Sequence, residues 1–237
     1  MAYCGSAVLY AVAAGVLLLM RANTRPERQP GSRMEQIREG IAYVWTNKIV
    51  FGAISLDLFA VLLGGATALL PVFASDILKV GAHGFGVLRS GPAIGAAVMA
   101  FALSRWPVHR HAGHWMFAGV AAFGVATIAF AVSKSMIVSV IALAALGAAD
   151  MISVYVRQSL VQIVTPDHLR GRVSAVAYLF IGASGELGEF ETGVVARVLG
   201  PVGAAIFGGV GSLVVTGAWA LMFPSLRKAD GLDGSQV

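Results

Sequence analysis

Seven apolar stretches of about 20 residues limit what this chain can fold into. They cover residues 2–20, 49–73, 85–104, 113–132, 136–163, 173–196 and 202–224. A helix rises 1.5 Å per residue, so about 20 apolar residues cross the roughly 30 Å of hydrocarbon in a bilayer. The sequence therefore predicts an all-α membrane protein with seven transmembrane helices.

The composition excludes an ordinary soluble protein. Hydrophobic residues make up 57% of the chain and charged residues only 12%, which lies outside the usual range of globular domains. Residues 2–20 contain no lysine or arginine, whereas a secretory signal needs a basic segment before its apolar core. We therefore expect this first stretch to remain as a spanning helix.

Basic residues between the stretches predict the orientation of the chain in the membrane. Twelve fall on one side and four on or near the other. Because lysine and arginine accumulate in cytoplasmic loops, we expect the N-terminus outside, the C-terminus in the cytoplasm and a location in the plasma membrane, such as a bacterial inner membrane. The net charge of +5 is explained in this way without a nucleic-acid partner.

The longest polar interval, residues 21–48, separates the first span from the other six. It begins with RANTRPERQPGS, a composition typical of a flexible linker. The segment MEQIREGIAYVW that follows repeats apolar residues at a helical period. We predict an amphipathic helix along the inner membrane surface, and a simple linker helix is the favoured interpretation of its role.

Ionisable residues inside predicted spans are informative, because each costs on the order of 3 kcal/mol at the bilayer centre. Asp57 lies in the second span, and Asp150 and Arg157 lie two helical turns apart on one stripe of the fifth, with Ser153 between them. In one interpretation Asp57 or Asp150 binds and releases a proton during transport. In the other, Asp150 and Arg157 are structural partners of each other.

The sixth span carries Glu186 and Glu189 on one helical face, and this face either lines a cavity or lies near the outer headgroups. In the third span, the small residues of GPAIG allow close helix packing. Gly91, Pro92 and Gly95 are therefore predicted to pack, with a hinge as the alternative.

The short stretch TPDHLRGR joins the fifth and sixth spans. Thr165 is predicted to cap the next helix, with Pro166 at its first position and Asp167 at its positive end. Arg170, Gly171 and Arg172 complete the stretch, and the two arginines are expected to anchor it at the cytoplasmic surface. We interpret it as an orientation anchor and inner-gate latch.

Other function classes lack the residues that they require. The four lysines all lie at or beyond the ends of the spans, which excludes a retinal Schiff base. The chain has no phosphate-binding P-loop, nucleophile elbow or zincin motif. Three histidines in the loop SRWPVHRHAGH have neighbouring arginines and no acid or thiol beside them. We expect no enzyme activity, no cofactor and no metal.

Three segments resemble one known family. They are DLFAVLLGGATALLPVFASDIL (57–78), GAADMISVYVRQSLVQIVTPDHLRGRVSAV (147–176) and GASGELGEFETGVVARVLGP (182–201). Together they are similar to the enterobactin-exporter-like, or transmembrane secretion effector, branch of the major facilitator superfamily. The loop SRWPVHRHAGH departs from the family's motif, since it lacks an aspartate and a Gly-Arg pair.

The resemblance implies a division of the chain into four parts. Residues 1–20 would be the last helix of an N-terminal half, 21–48 the linker, 49–226 a six-helix C-terminal bundle, and 227–237 a cytoplasmic tail. The sequence would then be truncated at its N-terminus, and a transport path would need the missing half, a partner chain or a second copy.

The resemblance also implies a function. It indicates a secondary-active exporter of small molecules, siderophore-like or drug-like, coupled to protons and embedded in lipid. The alternative that the residues leave open is a membrane scaffold without transport activity, or the inactive product of a truncated gene.

Overall fold

A computed structural model describes residues 2–19 and 32–230 of the chain. It forms two compact units, Met1–Arg33 and Met34–Val237. The predicted linker residues 21–31 and the tail residues 231–237 lie outside the described residues. The first unit contains the helix α1, Ala2–Leu19, in the place of the first predicted span.

The described part of the second unit consists of helices joined by short connections. It contains α2 (Arg33–Thr46), α3 (Lys48–Leu63), α4 (Leu70–Val72), α5 (Gly81–Arg105), α6 (Ala112–Val132), α7 (Met136–Val164), α8 (Asp167–Met222) and α9 (Pro224–Arg227). A 3-10 turn, Ala66–Leu69, precedes α4 and a π-helical turn, Phe73–Ile77, follows it. The predicted all-α membrane fold is confirmed.

Five helical segments of the described chain are long and apolar enough to span a membrane, and the last of them is α8. Its 56 residues would extend about 84 Å at 1.5 Å per residue, far more than one bilayer. Gly200, with φ 74° and ψ 168°, interrupts α8 immediately before Pro201. Helix α8 is therefore long enough for two crossings, which would meet at a Gly-Pro turn.

The second predicted span is not one continuous helix. The span is α-helical as far as Leu63. The N–H of Gly64 donates the last hydrogen bond of this helix, to the Ala60 carbonyl at 2.8 Å. The backbone then changes to the 3-10 turn. A β-carbon at Gly65 would lie 2.8 Å from the Gly188 carbonyl oxygen, so this break depends on close packing against α8.

Helix α7 packs against α3, α5 and α6. Small residues allow α7 and α5 to cross at close distance. A β-carbon at Gly95 would collide with the carbonyl oxygen of Ala144, and a β-carbon at Gly147 would collide with the carbonyl oxygen of Pro92. Helix α5 continues through Pro92 as one helix. The segment of Gly91, Pro92 and Gly95 thus serves close packing here.

We expect Gly95→Val to lower the free energy of unfolding by about 1–3 kcal/mol or more, because the added carbons meet backbone that cannot move aside. Gly86→Val in the same helix is the matched control, since nothing lies within 4 Å of a β-carbon there. Thermal denaturation in detergent measures both. Equal loss of stability in the two variants would show that helix propensity, and not the crossing, sets the effect.

Candidate functional site

A buried ion pair joins α3 to α7 in the middle of the bundle. Arg157 Nη2 lies 3.3 Å from Asp57 Oδ2, and the two side chains are only 6% and 5% exposed. The Nε atom of Arg157 is buried without a hydrogen-bond partner among the described residues. The ion pair is therefore held away from solvent, an arrangement that is costly in free energy.

Local structure fixes where Asp57 lies along α3. The Asn47 side chain accepts hydrogen bonds from the Ile49 and Val50 N–H groups, each at 3.1 Å, and so caps the start of the helix. Ten residues separate Asn47 from Asp57, which places the carboxylate about 15 Å into the span. The cap thus sets the depth at which Asp57 meets Arg157.

The predicted partner of Arg157 is corrected by this geometry. Asp150 and Arg157 do share one stripe of α7, but the ion pair is with Asp57. Seven residues correspond to about 10.5 Å along a helix, whereas the crossing of α3 brings Asp57 directly to the guanidinium. Asp150 is half-buried and lies within electrostatic range of both charges.

A small cavity connects the two carboxylates. Asp57, Asp150 and Ser153 are its polar lining, and its volume is about 10 Å³, close to the minimum that holds one water molecule. The Ser153 hydroxyl is buried and has no hydrogen-bond partner among the described residues. One water there would have three polar partners, so a proton could pass between the carboxylates.

A wider cavity of about 380 Å³ adjoins the small one, and Asp150 lines it as well. Its lining includes the broken backbone at Gly64 and Gly65, Pro92 of α5, and Glu189 of α8. Irregular backbone at membrane depth is tolerated where it lines a cavity. Asp150 lines both cavities and therefore connects the buried ion pair to the open space.

The structure separates the two predicted glutamates of α8. Both side chains are exposed, but Glu189 contributes to the wide cavity together with Asp150, whereas Glu186 is not part of that lining.

The junction between α7 and α8 differs from its predicted capping. Thr165 ends α7, Pro166 is the N-cap of α8 without a side-chain bond, and the Thr165 hydroxyl is buried without a hydrogen-bond partner among the described residues. Pro166 has ψ 145°, so its backbone is extended and α8 begins one residue later, at Asp167. The prediction of Thr165 as the cap of α8 is therefore wrong.

The charged side chains of this junction make local and distant contacts. Arg170 Nη1 lies 2.8 Å from Asp167 Oδ1, and Arg170 Nε donates to the Gln162 carbonyl at 2.9 Å. Arg172 forms an ion pair with Glu39 of α2. Gly171 is exposed, with open space around it.

Helix α2 packs directly on this junction. The Tyr43 hydroxyl donates to the Val164 carbonyl at 2.7 Å, and a β-carbon at Gly40 would lie 3.0 Å from that of Arg172. The contacting residues are more than 120 positions apart in sequence, so no local pattern in the sequence indicates them. Tyr43 and Glu39 are thus parts of the junction that the sequence does not reveal.

A comparison with protein families gave one result. The family model described as Major Facilitator Superfamily matches residues 1–189, a range that contains Asp57, Asp150, Arg157 and Glu189. No curated protein and no solved structure matched the chain.

Proposed function

The chain belongs to the Major Facilitator Superfamily, and from this premise we propose that it is a transporter that exports small molecules in exchange for protons. Siderophore-like or drug-like compounds of the enterobactin-exporter type are the proposed substrates. The residues proposed to carry protons are Asp57 and Asp150, which line one small cavity, and Arg157 is the buried counter-charge of Asp57.

The charge balance of this group supports the proposal. Two carboxylates and one guanidinium carry a net charge of −1, and one bound proton makes the group neutral. Burying a net charge in a low-dielectric interior is costly. The occluded state therefore favours one bound proton, whereas water in the wide cavity tolerates its release from Asp150. Opening and closing of the cavity would in this way be coupled to proton exchange.

The wide cavity supports a role in substrate binding. It is open on one side and its ionisable lining, Asp150 and Glu189, is acidic, which favours a cationic or strongly polar substrate. We propose that a second six-helix bundle closes the path. That bundle would be a preceding part of the same polypeptide, a partner chain or a second copy.

The proposed orientation places the α7–α8 junction on the cytoplasmic side of a plasma membrane, with the N-terminus outside. Twelve basic residues on that side favour this arrangement. The contacts of Tyr43 with Val164 and of Glu39 with Arg172 would then act as an inner-gate latch, released when α2 moves away from the α7–α8 junction.

Transport by proteoliposomes containing the complete transporter tests this function. Ethidium as the drug-like probe and enterobactin as the siderophore probe are loaded inside the vesicles, and a pH gradient is imposed. We expect the gradient to accelerate movement of at least one probe, with matching proton flux reported by a pH-sensitive dye. A folded protein that moves neither probe nor protons would contradict the proposal and favour the scaffold alternative.

A further inference from the structure

A groove of about 500 Å³ lies between the end of α5 and the start of α6. None of the residues that line it lines the cavities beside Asp57 and Asp150. Its walls come from the last two turns of α5, the connecting loop and the first turn of α6, with Ile152 of α7 also in the lining. It is therefore separate from both of those cavities and lies at one end of the bundle.

The lining of this groove changes from apolar to cationic along its length. Met99 and Leu103 are apolar, and Met99 precedes the end of α5 by six residues, or about 9 Å along the helix. His109 and Arg110 lie at the exposed end, and no acidic residue belongs to the lining. The groove thus matches a ligand with an apolar tail and an anionic head.

Two tryptophans flank the cationic end. Trp106 is 74% exposed and Trp115 is 48% exposed, and both belong to the lining of the groove. Tryptophan is enriched where membrane hydrocarbon meets the headgroups, because its ring is apolar and its N–H is polar. These side chains therefore place the cationic end at headgroup level.

Backbone contacts hold the loop in its shape. His111 has a left-handed φ of 58°, and its N–H donates to Asp230 Oδ1 at 2.8 Å. The Gly113 N–H donates to the Ala229 carbonyl at 3.0 Å. Because the chain is fixed on the C-terminal side of Arg110, this end of the groove is already formed without a ligand.

We propose that the groove binds one anionic phospholipid, with its phosphate at Arg110 and His109 and one acyl chain along Met99 and Leu103. The exposed apolar side chains of Val98 and Phe101 on α5 continue the groove into the surface that faces the bilayer, so a lipid can enter from the side. Charge complementarity favours an anionic headgroup over a zwitterionic one.

Quenching of tryptophan fluorescence by brominated lipid tests the site. Trp45→Phe and Trp219→Phe leave Trp106 and Trp115 as the only tryptophans of the chain. The protein is reconstituted with either brominated phosphatidylglycerol or brominated phosphatidylcholine. We expect a preference of about fivefold for the anionic lipid, since one basic side chain near anionic lipid contributes about that factor. Native mass spectrometry of the unmodified chain gives the same comparison without substitutions.

Arg110→Gln is expected to abolish the preference, whereas the matched control Arg197→Gln, at an exposed position of α8, should retain it. Equal quenching by the two lipids, or a preference that survives Arg110→Gln, would overturn the proposal. Excess inorganic phosphate distinguishes the source of the anion. If free phosphate alone abolishes the preference, the site binds the phosphate group and not the lipid.

Discussion

Asp57→Asn is expected to lower the free energy of unfolding by about 3–5 kcal/mol, because Arg157 would remain buried without a counter-charge. The guanidinium is largely shielded from solvent, since its side chain is only 6% exposed. Its Nε atom already lacks a hydrogen-bond partner among the described residues. Thermal denaturation of the purified protein in detergent measures this loss.

The double variant Asp57→Asn, Arg157→Gln should recover most of the lost stability. Removing both charges also removes the cost of burying them, and no uncompensated buried charge remains. The two single variants and the double variant form a cycle that isolates the interaction energy of the pair. Glu186→Gln is the control, since this exposed carboxylate can be neutralised without leaving a buried charge behind.

Two outcomes would contradict this account of the pair. If Asp57→Asn is as stable as the unchanged protein, Arg157 finds another counter-charge, and Asp150 is the nearest candidate. If the double variant is as unstable as the single one, the loss comes from packing and not from an unpaired charge.

The spans could be predicted because the thickness of a bilayer is a local constraint on the sequence. A run of about 20 apolar residues is sufficient evidence for a crossing, and the Gly-Pro pair at 200 and 201 marks the turn between the last two. The break after Leu63 could not be predicted in this way. Adjacent glycines in an apolar run are equally typical of a helix break and of an unbroken helix that packs closely. Only the approach of α8 shows that a break occurs here.

The residues of the candidate site could be predicted from the sequence, but the ion pair that forms among them could not. Asp57, Asp150 and Arg157 stand out because charges are rare in spans. Which carboxylate meets the guanidinium depends on the rotation and crossing of α3 against α7, and these follow from packing across a separation of 100 residues. The contact of Tyr43 with Val164 was missed for the same reason.

Asp150→Asn is expected to leave the fold intact while removing proton coupling. Asp150 is half-buried and is not the ion-pair partner of Arg157, so its neutralisation leaves no isolated buried charge. With an amide at position 150, the group formed with Asp57 and Arg157 is neutral. This is the net charge that the unchanged group reaches by binding one proton. The variant therefore mimics the protonated state and cannot release a proton into the wide cavity.

Two transport measurements separate coupling from binding in this variant. Movement of the probe driven by a pH gradient should fall to the background of empty vesicles, whereas exchange of labelled for unlabelled probe at equal pH should continue, because exchange needs no net release of a proton. Glu186→Gln removes a carboxylate on an exposed surface of α8 and should retain both activities.

Retained gradient-driven transport in Asp150→Asn would remove Asp150 from the proton path. Loss of exchange as well would instead assign Asp150 to substrate binding, since a residue that acts only on protons leaves exchange unchanged.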